Sequence, residues 1–479
     1  GAATGSGQAN LGGKLALSFT SGARPVDGAV YRILTAQGGV SGTFATPTIS
    51  AVIIPQLTYL ADAVDLRITI GKYADAVDQG SSVQRSYAAL LDANRAGASG
   101  ALSGLYDLLD TQDAAGVRTF MESAAPRNQS LRSATGMAAS GAADRFFRQR
   151  IGAMRPGEAT GQLAVNGNPL LLASQDAMVR AAAPMENGLG FSDEGRSLGK
   201  LADDASGYLV AGYLNGSSSR MPTAGTAGRD EFDGWFAAFG LEKAVSDRAT
   251  LGFGLSYSDV SGKTSVAGQS AGARLVQGTV YGALATDKGL RFDLLMSAGV
   301  LSTDSQRTVT LAATPYILDL NKNALAFAME GAISTDVSRN NKLAVIPHAS
   351  LRFESLGFGR AAERGGPMAL VVEGETRQAL ESRLGLGLAG QSGKVRPHLE
   401  VNYVHDFLDQ STSFAAGFVG GSAVAPFALP VTDGNWAEVS GGLTLELSGR
   451  AALSVEADSS VFRKDLRSQT YRGRLTLQF

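Results

Sequence analysis

The residues able to do chemistry in this 479-residue chain are charged side chains at strand and helix spacing, not a nucleophile with its base. There are three histidines, His348, His398 and His405, and none sits in a metal-ligand spacing such as H-x-x-x-H. His405-Asp406 is an acid–base pair by type, but neighbouring residues on a strand point to opposite faces and cannot converge on one substrate. No G-x-S-x-G elbow occurs, and the glycine-rich stretch 417–421 lacks the following helix and Lys-Ser/Thr of a phosphate loop. Two ionic sets remain. Glu354, Glu400, Glu438, Glu446, Glu456 and Asp458 each fall on the polar side of an alternating segment. Arg145, Arg148, Arg150 and Arg155 close a small-residue segment, about 129–155, that runs through Ser133-Ala-Thr-Gly-Met-Ala-Ala-Ser-Gly-Ala-Ala143. Opposite charges attract more strongly in a confined, partly desolvated space than at a surface. The candidate site is therefore an acidic wall and an arginine-bearing helix narrow enough to thread a lumen. A solvated polar wall and a solvated surface helix is the plainer reading of the same residues. No cofactor or metal is expected.

Strands must carry the acids. Over 206–479, Leu251, Phe253, Leu255 and Tyr257 alternate with Gly252, Gly254, Ser256 and Ser258. Val395, Leu399, Val401 and Tyr403 alternate with Arg396, His398, Glu400 and Asn402, and Leu443, Leu445 and Leu447 with Thr444 and Glu446. About twelve such segments of roughly ten or more residues follow each other, long enough to span a bilayer when tilted. The final segment places Tyr471, Leu475, Leu477 and Phe479 on one face and Arg472, Arg474, Thr476 and Gln478 on the other. An apolar outer face, a polar inner face and a terminal aromatic suit the last strand of a bacterial outer-membrane barrel. The apolar faces are too uniform, and the polar faces too charged, for a soluble sandwich.

Composition agrees. Glycine is abundant at 60 residues, against an average of about 7%. Cys is 0, which suits passage through an oxidising periplasm. Net charge is −2 with no basic cluster, so nucleic acid is not an expected partner. No run of about 18 apolar residues forms a transmembrane helix. Starting at Gly1 without Met, the chain reads as a processed or trimmed piece of a precursor.

Upstream, residues 1–75 read as short strands between glycine-rich turns, with Ile33, Leu34, Phe44, Leu66 and Ile68 as candidate caps of a β-helix core. Residues 76–155 switch to helical spacing, as in Val83, Tyr87, Leu90 and Leu91, then Leu102, Leu105, Tyr106, Leu108 and Leu109. Residues 156–205 are an irregular connection.

This order of regions resembles the C-terminal part of a monomeric (type Va) autotransporter. Gly28-Ala-Val-Tyr-Arg-Ile-Leu-Thr-Ala36 with Gly38-Gly-Val-Ser-Gly-Thr-Phe44 is similar to closing passenger rungs. Leu57-Thr-Tyr59 with Val64-Asp-Leu66 is similar to the ending of that segment. Phe147-Arg-Gln-Arg-Ile-Gly-Ala-Met-Arg155 resembles the linker through the family's pore, and Pro397-His-Leu-Glu-Val-Asn-Tyr-Val-His-Asp-Phe407 its late strands. The departure is 156–205, since the family enters its first strand sooner. The resemblance implies an all-β fold with a helical linker: a transmembrane antiparallel barrel of about twelve strands, a pore-threading helix and a short β-helix, autochaperone-like segment. It implies an outer-membrane translocator that is no enzyme itself, exports its own passenger to the cell surface and acts as a monomer. Its implied partners are outer-membrane lipid and lipopolysaccharide, the barrel-assembly machinery and periplasmic chaperones, with Tyr471, Leu475, Leu477 and Phe479 as the assembly signal. Asn128 and Asn340-Asn341 do not reproduce the family's cleavage pattern, so self-cleavage is not expected. A diffusion pore or a barrel-embedded hydrolase are the alternatives.

Overall fold

The computed structural model describes residues 3–153 and 205–478, apart from 6, 19–24, 48, 78, 224–227, 312–313, 338–342, 391, 409–412 and 449. The chain opens with β1 (Ala3–Gly5), β2 (Ala9–Leu11), β3 (Val30–Ala36), β4 (Val40–Gly42), β5 (Ile53–Tyr59) and β6 (Ala63–Ile70). β1 pairs with β3, and β2 with β4, in parallel, so successive segments stack as rungs. β6 runs antiparallel between β3 and β5 and ends the stack. Gly42 permits the approach: it holds φ at 76°, and a Cβ there would collide with the Leu11 carbonyl. Leu66 and Ile68 are buried, whereas Phe44 is only half-buried and lies outside the core.

Five helices follow: α1 (Tyr73–Ala76), α2 (Ser82–Asn94), α3 (Gly100–Leu109), α4 (Ala114–Ser123) and α5 (Arg127–Ala153). α2 starts at a reciprocal cap. The Ser81 hydroxyl accepts from the Gln84 N–H at 3.2 Å, and the Gln84 side-chain oxygen accepts from the Ser81 N–H at 3.1 Å. None of the described helices is long and apolar enough to cross a membrane.

Crossing falls to strands. These are β7 (Ala205–Ser218), β8 (Asp230–Ser246), β9 (Ala249–Lys263), β10 (Gln269–Ala285), β11 (Leu290–Leu311), β12 (Thr314–Thr335) and β13 (Leu343–Phe358). After the short β14 (Ala361–Ala362) and β15 (Leu370–Val372) come β16 (Glu375–Gly390) and β17 (Val395–Asp406). After β18 (Ser413–Phe418) and β19 (Val424–Ala428) come β20 (Asn435–Ser448), β21 (Ala451–Val461) and β22 (Leu466–Gln478). Twelve of them close into an antiparallel barrel, β22 pairing with β7, while β14, β15, β18 and β19 form a separate four-stranded sheet. One end has short turns such as 246–249 and 448–451; the other carries the long connections 358–375 and 406–435. Bacterial barrels place short turns in the periplasm and long loops outside.

Leu251, Phe253, Leu399, Val401, Tyr403, Leu443, Leu445 and Tyr471 are exposed on the outer wall, while Ser256, Ser258, Asn402, Glu456 and Arg472 are buried within. Arginine in place of Val401, near the middle of β17, will therefore destabilise the inserted barrel by about 2–4 kcal/mol. Arginine in place of inward Thr444 will be tolerated far better. Urea titration in lipid vesicles measures both, and equal losses would mean the faces are misassigned.

α1–α4 do something their periodicity does not announce. They pack outside the lumen with the far ends of β11 and β12 and with the small sheet, in one apolar core. Leu90, Leu91, Leu105 and Phe120 meet Val309, Leu318, Leu370, Phe418 and Phe427 there. β11 and β12 run 22 residues each, well beyond a bilayer span, and their projecting apolar residues need a cover. The helices and loops form that cap.

Candidate functional site: a helix held in the barrel lumen

α5 is buried around nearly its whole circumference although it has almost no apolar face. Small residues allow this. Ala134, Ala138, Ala139, Ala142 and Ala143 pack among Val210, Phe236, Val260, Leu275 and Leu301 of the barrel interior. Phe146 and Phe147 are the bulky exceptions. Phe146 packs on Tyr208 at 5.5 Å between ring centroids and Phe147 on Tyr281 at 5.7 Å. A space for Phe147 exists because residue 254 is glycine; a Cβ there would strike its ring. α5 thus lies along β8–β11. On its other side a polar gap is lined by Arg352, Glu354, Arg377, Glu381, Arg383 and Glu438.

The helix enters at the long-loop end, where Gln269 accepts from the Asn128 N–H at 3.0 Å and donates to the Ala125 carbonyl at 2.8 Å. At the short-turn end Arg291 donates to the Ile151 and Gly152 carbonyls, satisfying groups that a helix terminus leaves open and placing a cation at its negative pole.

Between these ends the ionic contacts form a ladder. Arg145 pairs with Asp458 at 2.8 Å and bonds Thr470 at 3.3 Å. Arg148 pairs with Glu330 at 2.9 Å and reaches Glu438 at 3.6 Å. Arg150 and Glu242 form a bidentate pair, its Nε bond 2.7 Å long, with side chains 8% and 0% exposed. Tyr281 donates to the same Glu242 at 2.8 Å, and Arg150 lies 5.2 Å from the Tyr208 ring centroid. In the reverse sense, the helix's Asp144 accepts from Gln277 at 2.7 Å and pairs with wall Arg352. Ser140 donates to Glu354 at 2.6 Å.

Not every acid on the sequence-derived wall meets the helix. Glu400 binds His348 at 3.3 Å and accepts from Asn402 at 2.6 Å. Glu456 is held by Arg472 at 2.7 Å and Arg474 at 3.1 Å, and Glu446 by Arg396 on the adjacent strand. Those arginines share their wall, so the lumen is a mixed-charge surface rather than an acidic one. Arg155, the bulk of the irregular connection 156–205, the Asn340-Asn341 pair and Phe479 lie outside the described residues. Tyr471, Leu475 and Leu477 stand on β22, with Tyr471 exposed and the two leucines half-buried. Glu242 and Glu330 were not singled out by spacing. The signal was available, since Leu241-Glu242 and Met329-Glu330 alternate as the other strands do. Asp144 carried none beyond its position in a basic helix. His405 and Asp406 diverge: His405 contacts Asn435 at 2.9 Å, while Asp406 accepts from the Leu380 and Leu408 N–H groups.

A closed twelve-stranded barrel with a helix through its lumen agrees with a family match. The autotransporter beta-domain family matches residues 210–458, more than half of the chain. The chain belongs to the autotransporter family. Among solved structures, the translocator domain of autotransporter NalP from Neisseria meningitidis is 14% identical with a TM-score of 0.47, over 64% of this chain and 96% of that one. The beta domain of the Bordetella autotransporter BrkA is 14% identical with a TM-score of 0.41, over 57% and 100%. The transport unit of autotransporter AIDA-I from Escherichia coli is 12% identical with a TM-score of 0.35, over 64% and 97%. No curated protein sequence matches the chain. As an autotransporter, this protein is an outer-membrane translocator unit: its strands anchor it in the bilayer, and it secretes a passenger to the cell surface.

Proposed function

We propose that the described state is the translocator after export, with the last exported segment retained as a plug. The observation that carries this reading is α5, buried in the lumen, held at both ends by hydrogen bonds and along its length by ion pairs to the wall. A lumen of twelve strands fits a helix or an extended hairpin but no folded domain, so the passenger crosses unfolded and folds outside. The rungs β1–β6 then serve as a template, each burying apolar surface on the one before. Residues 1–75 act as the autochaperone-like segment, 76–155 as linker and plug, and 206–479 as the barrel. Arg145, Arg148 and Arg150 retain the helix against lumenal carboxylates. The chain performs no bond chemistry. It reaches its place through periplasmic chaperones and the barrel-assembly machinery, which reads the outward residues of β22, and it works as a monomer. A free diffusion pore is not favoured, because α5 occupies the lumen along β8–β11 and its arginines bridge to the facing wall beside the remaining polar gap.

The test uses a tagged passenger fused upstream of Gly1. Surface labelling of intact cells should detect the tag. A passenger domain locked by an engineered disulfide before export should stall. Equal surface exposure of the locked form would overturn the unfolded-passage reading.

A further inference from the structure

The outer surface of the barrel has an ordered vertical pattern at the β22–β7–β8 seam. Tyr471, Tyr213 and Trp235 stand side by side on these three strands, in register, all outward and about half exposed. Trp235 packs against Tyr257 at 5.2 Å between centroids. Aromatic residues in such a belt mark the bilayer interface. The Tyr471 hydroxyl donates to Gln469 at 3.1 Å, and so points toward the long-loop rim.

Four residues nearer that rim on β22, about 13 Å at strand rise, stands Arg467, also outward. It is joined by Arg229 and Lys464. Arg229 is built into place rather than waving in solvent. Its Nε donates to the Ser217 hydroxyl at 2.8 Å, and its other nitrogens donate to the carbonyls of Ser217 at 2.9 Å, Lys464 at 2.5 Å and Asp465 at 3.5 Å. Burial, then the neighbouring Arg467 charge, push its pKa down. Asp465, Asp230 and Asp433 lie close enough to push the Arg229 pKa partly back up, but each has its own hydrogen-bond or ion-pair partner. Asp465 pairs with Arg463 at 2.9 Å. Asp230 is buried and accepts from the Ser265 N–H at 2.8 Å. Asp433 accepts from the Lys464 and Asp465 N–H groups. Glu231 is outward one strand further round and makes no ion pair with the three cations. Among the described residues, none of these three cations has a carboxylate at ion-pair distance. The adjoining turn holds Phe462, 83% exposed at a φ of 63°, a costly conformation for a residue with a side chain.

Guanidinium groups held by carbonyl bonds and without a directly paired carboxylate, one headgroup depth above an aromatic belt, with an exposed ring beside them, complement an anionic amphiphile. We propose that Arg229, Lys464 and Arg467 form a binding site for the phosphate of an outer-leaflet glycolipid of the lipid A type. Arginine's fixed fork suits phosphate, and the acyl chains of such a lipid would lie over the belt below. The site gives the translocator a preferred lipid on the seam where its first and last strands close. It rests on the outer-membrane anchoring of the protein.

The test is native mass spectrometry of the whole chain released from detergent micelles containing bis-phosphorylated lipid A, the same lipid stripped of both phosphates, or inorganic phosphate. The wild type should retain bis-phosphorylated lipid A. Retention should fall by about tenfold or more in K464Q/R467Q, which leaves the Arg229 bonds in place, and for the dephosphorylated lipid. K243Q/K288Q, at the short-turn end, should behave as wild type. R467Q alone should show an intermediate loss and serves as the second variant. Undiminished retention in K464Q/R467Q, or equal retention of the dephosphorylated lipid, overturns the proposal. Displacement of the lipid by millimolar inorganic phosphate overturns the lipid assignment in favour of a free anion. Passenger export by K464Q/R467Q is scored in parallel, so that loss of the lipid site and failure of the translocator remain distinct.

Discussion

Replacing Arg307 with methionine should loosen the outer cap and leave the barrel wall closed. Arg307 lies on β11, and its side chain and that of Glu363 are both 0% exposed. The pair is bidentate, with bonds of 2.8 and 2.7 Å. The guanidinium also donates to the Met368 carbonyl at 3.0 Å, to the Tyr87 hydroxyl at 3.2 Å and to the Ala124 carbonyl. One side chain thus ties a barrel strand to a loop, to α2 and to the end of α4. Burial pushes the Tyr87 hydroxyl up to about 12, so it stays protonated and donates onward to Ala124 at 2.7 Å. Removing Arg307 alone strands a buried carboxylate, at a cost of about 3–5 kcal/mol. R307M/E363L removes both charges and should recover most of that loss. Trypsin added to intact cells reads the result through exposed Arg85 and Arg118. The single variant should be cut within 73–125 much faster than the wild type, with the double variant near wild type. Identical cleavage of all three would mean that apolar packing alone holds the cap.

The second large effect concerns the plug. R145E/R148E/R150E would place new carboxylates beside Asp458, Glu330, Glu438 and Glu242 in a confined space. Breaking a single buried pair costs about 3–5 kcal/mol, and three together rival the entire stability of a typical domain. The helix should leave the lumen. The wall should persist, because its ladder bonds join strand to strand and do not depend on α5. Hydrogen exchange is the readout. Amides of 127–153 should be protected in the wild type and exchange freely in the triple variant, while β10 and β11 stay protected. Continued protection of the helix would show that its alanine and phenylalanine packing suffices without the ion pairs.

The barrel was legible in the sequence because its rule is local. A strand repeats every two residues, so Val401 against Asn402, or Leu445 against Thr444, discloses its faces without knowledge of any partner. The helix was legible through the same kind of signal, small residues followed by arginines. Its partners were not. Arg150–Glu242 and Arg148–Glu330 join residues 92 and 182 positions apart. Which acid meets which arginine depends on the height and rotation of α5 in the lumen. Those are set by where Phe147 finds room against Gly254 and by the end contacts with Gln269 and Arg291. Glu400 and Glu456 have the right type and face but are occupied by His348, Arg472 and Arg474 on their own wall. The cap was hidden for a related reason. Tyr87, Leu90 and Leu91 announce a buried helix face, but nothing near them says that the cover comes from Phe418 and Phe427, more than 300 residues later.

The central claim, that this barrel is closed by its own helix, is tested most directly by single-channel conductance in a planar bilayer. The whole chain should insert and pass little current. A chain lacking 127–153 should insert with the same orientation and pass a large, stable current. A fully open wild type, or a deletion variant no more conductive than the whole chain, would contradict the account.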